Sequence, residues 1–158
     1  MLGKIMQAAL SGMAILALPY TASAQCGLIV ETEAVAVDQQ VPEIHVRLSN
    51  STRNEISLPR IDLPWLVGSI GGLRVYAAMA NPPYTQLRFV VPMIHPEGEV
   101  VIAPGREISG AVALPDLLPQ LREARKRGPI VLFWHFAVRI GDNSCVVRSA
   151  QSALIAPL

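Results

Sequence analysis

Residues 128–147 constrain the fold more than any other stretch of this chain. Gly128-Pro129 precedes an apolar run over 130–140, followed by Gly141-Asp142-Asn143-Ser144 and then Cys145-Val146-Val147. The order reads as a helix exit, a long strand, a tight turn and a returning strand that carries a cysteine. With the two-residue period of a strand, Ile130, Leu132, Trp134, Phe136, Val138 and Ile140 share one face. Val131, Phe133, His135, Ala137 and Arg139 share the other. Apolar groups on both faces predict a central strand covered on both sides over much of its length.

The chain holds two cysteines, Cys26 and Cys145. Their meaning depends on the N-terminus. Residues 1–4 carry one positive charge, 8–18 are apolar, and Ala22-Ser23-Ala24 places small residues where a signal peptidase reads. That is the form of a secretory signal peptide over 1–24. The apolar run is short against the roughly 20 residues that span a bilayer, which argues against the competing reading as an uncleaved anchor. Gln25 before Cys26 does not fit a lipoprotein signal, and no later stretch is long and apolar enough for a transmembrane helix. The expected location is periplasmic or secreted. In that oxidising setting the two cysteines are expected to form one disulfide, Cys26 to Cys145, the alternative being two unpaired thiols. The bridge would close a loop long enough to contribute about 5 kcal/mol in the chain-entropy model. It also requires the first and last strands to come within about 7 Å at Cα.

With Lys4 removed along with the leader, basic and acidic residues balance, so charge offers no reason to expect a nucleic-acid partner. The 13 Pro and 11 Gly are spread along the chain, as in a protein of many short elements joined by turns. Strand candidates occupy 27–37, 43–49, 55–58, 66–70, 73–79, 86–91, 99–102, 107–114, 130–140 and 145–148, the last continued over 153–155. Imperfect alternation in 27–37 predicts a bulge or a switch of sheet near Ala34. Residues 59–65 hold Pro59 and Pro64 and are expected to cross an end of the core, packing Ile61, Leu63 and Trp65. One helix is expected over 115–127, with Pro119 in its first turn, Arg125-Lys126-Arg127 in its last, and Glu123 paired to Arg127. Residues 25–158 make one domain, an all-β, two-sheet sandwich with one short helix before the penultimate long strand.

Val46-Arg47-Leu48-Ser49-Asn50-Ser51-Thr52, then Ile102-Ala103-Pro104-Gly105-Arg106-Glu107-Ile108-Ser109-Gly110, and Val112-Ala113-Leu114 carry a resemblance. Their strand-and-turn pattern is similar to that of bacterial immunoglobulin-like or fibronectin-III-like domains of exported proteins. The resemblance covers most of the chain after residue 24 and implies an immunoglobulin-like sandwich. The Cys–Trp–Cys arrangement of antibody domains is not matched, because Trp134 lies just before the second cysteine and the first lies at the start of the domain. Folds of this kind host many activities.

Catalytic templates fit poorly. Ser69 lacks the glycine two residues before it that a nucleophile elbow needs, since Val67 stands there. No Cys-x-x-Cys supports thiol chemistry. His95-Pro96-Glu97 lacks the cysteine pair of a zinc deaminase. Glu97 and Glu99 sit beside a turn with no glycosidase geometry to support them. Met93 and His95, with Met79 or His45, could form a soft copper site, against a competing reading of Met79 as core and His45 as a solvated strand residue. Arg122, Arg125, Lys126 and Arg127 could meet acidic partners or lipid head groups, but they also suit a helix C-terminus. His135 reads as a hydrogen-bonded histidine at the sheet surface or under the helix. Asn50-Ser51-Thr52 is a glycosylation sequon as well as a polar turn. The expectation that results is a non-enzymatic exported accessory or protein-binding module without cofactor. Its partner would be another exported or envelope protein, and Trp65 and Tyr84 on Pro-rich loops are the candidate binding residues. A small periplasmic copper-binding protein and a hydrolase with an unrecognised site are the alternatives.

Overall fold

A computed structural model describes residues 25–37, 41–63, 65, 72–90, 96–140 and 145–158. The signal peptide expected over 1–24, the strand expected over 66–70, and Ser69, Met93 and His95 lie outside the described residues. The chain is mostly β. The strands are β1 (Leu28–Val37), β2 (Val41–Asn50), β3 (Ile56–Pro59), β4 (Leu73–Met79), β5 (Glu99–Ile102), β6 (Glu107–Ala113), β7 (Ile130–Ile140) and β8 (Cys145–Ile155). Helices α1 (Leu114–Leu117) and α2 (Leu121–Arg127) lie between β6 and β7. Every ladder is antiparallel, and the strands form three sheets ordered β1-β2-β6, β3-β5 and β4-β7-β8.

Period-two burial places the strands around one core. Leu28, Val30, Ile44, Val46 and Leu48 of the first sheet, Leu58 and Ile102 of the second, and Leu132, Trp134, Phe136 and Val138 of the third are all buried in it. The β1–β2 ladder is unbroken from Leu28↔Asn50 to Val37↔Val41, and Ala34 pairs in register with Ile44. The bulge or sheet switch expected near Ala34 is therefore absent. Alternation is imperfect there because Thr32 is a polar residue on the buried face. Trp134 Nε1 donates to Thr32 Oγ1 at 3.0 Å, and Thr32 Oγ1 lies 3.2 Å from Ser149 Oγ. These bonds satisfy the hydroxyl and the indole where water does not reach, and they tie β1 to β7 and β8.

The Cys26–Cys145 disulfide is formed across a sequence separation of 119, with the Cα atoms 6.5 Å apart. It fastens the chain just before β1 to the first residue of β8. Asn50, at the end of β2, is buried. Its amide nitrogen donates to the carbonyls of Asn54 and Ile102, both at 2.8 Å. Its side-chain oxygen accepts from Thr52 N–H and Thr52 Oγ1. The amide of the sequon is thus spent on joining the 50–54 turn to β5, and it does not face solvent as a glycan acceptor.

Two further expectations change. The single helix over 115–127 is two helices. Pro119 has no N–H and disfavours helical backbone at the residue before it. Leu118 accordingly leaves the helix at φ −130°, ψ 75°, and the chain re-enters at Leu121. The exit is as expected: three cations occupy the last turn, and Gly128 takes φ 155°, ψ −176°, a conformation essentially confined to glycine. Glu123 bonds Lys126 at 2.7 Å rather than Arg127. That hydrogen bond, then the ammonium charge, holds the exposed Glu123 carboxyl below its usual range. The strand expected over 86–91 shrinks to one bridge, Ala78↔Gln86. After Leu87 donates to Ala77 O, the chain turns off the β4 edge, and Val90 N–H bonds Leu117 O. Among the described residues no helix is long and apolar enough to cross a membrane.

Two outcomes are expected. Replacing both cysteines with serine should lower the unfolding free energy by about 3–5 kcal/mol in denaturant titration. Thr32→Val should cost about 1–3 kcal/mol by leaving the Trp134 N–H and the Ser149 hydroxyl unmet. A near-zero cost for Thr32→Val would show that the bonded triad does not join the sheets.

Candidate functional site

The expected central strand is central in its sheet but covered on one face only. Ile130, Leu132, Trp134, Phe136 and Val138 of β7 are buried. On the opposite face Phe133 is 54 % exposed and His135 is exposed. The expectation of cover on both sides is overturned, because the helices lie elsewhere. α1 packs on β2 and β6, and α2 holds the C-terminal segment through Arg125. Arg125 is buried, its Nε donates to Ala156 O at 3.0 Å, and burial lowers its pKa.

The ladder registers place the open face in rows. Ala78, Val131 and Leu154 form one, Tyr76, Phe133 and Ser152 the next, and Arg74, His135 and Ala150 the third. Ala137 lies opposite Arg148, and Arg139 opposite Val146. Directly paired side chains on one face have Cβ atoms about 4.5–5.5 Å apart, so the members of each row are neighbours. Tyr76 is 52 % and Leu154 51 % exposed. The result is an apolar patch of Tyr76, Phe133, Leu154 and Val131 at one end that grades into Arg74, His135 and Arg148. The strands β4, β7 and β8 contain neither Asp, Glu nor Lys. Among the described residues, neither Arg74 nor Arg148 has an ion-pair partner.

Arg139 does have one, and it closes the basic end of the face. Asp62, 2 % exposed in the 3-10 turn Arg60–Asp62, accepts Arg139 Nε and Nη2 at 2.8 Å each and the Arg139 backbone N–H at 3.1 Å. The hydrogen bonds to this carboxylate, then its charge, raise the Arg139 pKa, and burial opposes them. The Arg139 side chain keeps 42 % of its surface in solvent. A shallow hollow of about 390 Å³ is lined by Asp62, Ala137, Arg139 and Val146.

The first sheet turns a different face outward. It carries Glu31, Glu33, Glu43 and Glu107, with Arg47 and His45 among them. Arg47 lies 3.8 Å from Glu31 and 4.0 Å from Glu107, and His45 Nε2 lies 3.0 Å from Glu43. Glu31, Glu33, His45 and Arg47 border an open groove of about 560 Å³. Among the described residues no serine or threonine hydroxyl bonds His45, so the groove presents no nucleophile–base pair. Nor do three His, Cys, Asp or Glu among them gather closely enough to hold a metal ion.

The candidates read from the sequence are not brought together. Trp65 is half-buried and packed on the core. It lies against Gly110 of β6, where any Cβ would collide with the indole ring. Tyr84 is 73 % exposed in the loop after β4. Met79 fills core, and Glu99 accepts the Ser57 hydroxyl. Sequence reasoning missed the open face and the buried Asp62. One signal for the face was available: an acid-free run in which arginine and histidine share the alternate positions with Phe133. No protein-family model matches the chain, and no curated protein matches it in sequence.

The Asp62–Arg139 pair should respond asymmetrically. Arg139→Ala strands a buried carboxylate and should cost about 3–5 kcal/mol. Asp62→Ala leaves a guanidinium that can reach water and should cost about 1–2 kcal/mol. In a double-mutant cycle read by denaturant unfolding, the double variant should be more stable than Arg139→Ala alone.

Proposed function

We propose that this chain is an exported, non-enzymatic accessory module, an immunoglobulin-like β sandwich that binds another exported or envelope protein. One observation carries the reading: the outer face of β4-β7-β8 presents Tyr76, Phe133 and Leu154 to solvent on an acid-free sheet flanked by arginines. Contiguous exposed apolar side chains rimmed by polar groups mark interaction surfaces. Aromatic residues and arginine are enriched in protein interfaces, while lysine, glutamate and aspartate are depleted. Three strands spaced about 4.8 Å apart and up to about 35 Å long offer a plane on the order of 500 Å². That is the scale of one side of a standard interface, about 800 Å² of accessible surface. The disulfide supports export, since such bonds persist in oxidising compartments.

Two measurements test the reading. The protein recovered from the cells that make it should lie outside the cytoplasm and begin at Gln25. A full-length cytoplasmic chain with reduced cysteines would refute export. A photo-crosslinking amino acid at position 133 should capture one defined protein that the same label at Ser109, on the first sheet, does not. Equal labelling from both positions would refute a dedicated face.

A further inference from the structure

The charge of this molecule is near balance as a whole but divided between its sheets. β1, β2 and β6 hold Glu31, Glu33, Glu43 and Glu107 against Arg47 and His45. β4, β7 and β8 hold Arg74, Arg139, Arg148 and His135 and no acid. Asp62 neutralises Arg139, which leaves Arg74 and Arg148 as the cations beside the apolar rows. From this division we infer that the occupant of the β4-β7-β8 face is a protein surface apolar at its centre and acidic at its margin. The inference rests on the module reading above and adds the chemistry of the partner.

Three physical points select that occupant. A second copy docked through the same face would set Arg74 and Arg148 against their own equivalents, and like charges facing each other oppose association. A second copy docked through its first sheet would offer carboxylates but would cover Phe133 and Leu154 with Glu31, Glu33, Arg47 and Ser109, leaving the apolar rows without apolar cover. A lipid surface favours apolar groups that project from the fold and basic patches rich in lysine. Here Tyr76 and Phe133 stand at mid-strand on a sheet with no lysine. An apolar centre that takes Tyr76, Phe133 and Leu154, with carboxylates placed to meet Arg74 and Arg148, satisfies both parts of the face. Arginine suits such a rim because its planar fork binds carboxylates bidentately.

The test uses two synthetic amphipathic helical peptides with the same leucine and tyrosine stripe, one flanked by glutamate and the other by lysine. Binding to the mature disulfide-bonded chain is read by fluorescence anisotropy at low and high salt. The glutamate peptide should bind at least about tenfold more tightly than the lysine peptide, the scale of one close charge contact, and should weaken as salt rises. Phe133→Ser should weaken it by about thirtyfold, as truncation of a central anchor does. Arg74→Glu with Arg148→Glu should reverse the preference. Glu33→Lys with Glu107→Lys, on the other sheet, should leave it unchanged. These are surface positions, and unchanged melting temperatures separate lost binding from lost folding. Equal binding of both peptides, binding of neither, capture of phosphatidylglycerol vesicles without the glutamate peptide, or self-association that Phe133→Ser abolishes would each overturn the inference. A protein cross-linked at position 133 but indifferent to the two Arg→Glu changes would overturn it too, while leaving the module reading in place.

Discussion

The buried hydrogen-bonded chain from Trp134 to Thr32 to Ser149 is the interaction on which the arrangement of sheets depends. Trp134 is among the largest fully packed side chains of the core, and its indole N–H has one partner, the Thr32 hydroxyl. That hydroxyl belongs to β1, an edge of the first sheet, and Ser149 to β8, an edge of the third. Among the described residues no backbone ladder joins these two sheets. Directional bonds from side chains supply the registration that hydrophobic burial, being non-directional, does not. The disulfide does the same at the end of the pair, next to Leu28 and Ile140. Between them, β1 is held along β8 at two points, and Trp134 fills the space enclosed.

That registration explains why β7 has one wet face. With Trp134 turned inward, period two turns Phe133 and His135 outward, and among the described residues no helix lies over them. α1 and α2 are held on the other side of the molecule, by β2 and β6 and by the C-terminal segment. The exposed rows follow from that packing choice, and Asp62 neutralises Arg139 beside them. In the proposed function, this exposed apolar face is the surface that a partner takes.

Much of the fold was legible in the residues. Strict alternation placed β2, because Ile44, Val46 and Leu48 bury while His45 and Arg47 do not. Two cysteines left one possible disulfide pairing. What failed did so for physical reasons. Pro119 looked tolerable in a first turn, but its effect on Leu118 split the helix. Thr32 blurred the period of β1 because it serves a tryptophan more than a hundred residues away. Apolar residues on both faces of β7 matched a buried strand, and composition alone does not separate a face buried within the chain from one left open to solvent. Asp62 was invisible because its meaning lies in Arg139, far along the chain. Trp65 was expected both to pack over an end of the core and to be a candidate binding residue; it packs on the core, where Gly110 provides its flat seat.

Hydroxyl-radical footprinting of the folded, disulfide-bonded chain tests the central claim most directly, because Phe133 and Trp134 are adjacent in sequence and opposite in environment. Tyr76 and Phe133 should be oxidised rapidly and Trp134 slowly, although indole is intrinsically the more reactive ring. Protection of Phe133 to the level of Trp134 in the free protein would mean that the chain covers its own sheet, and the account of an open binding face would be wrong.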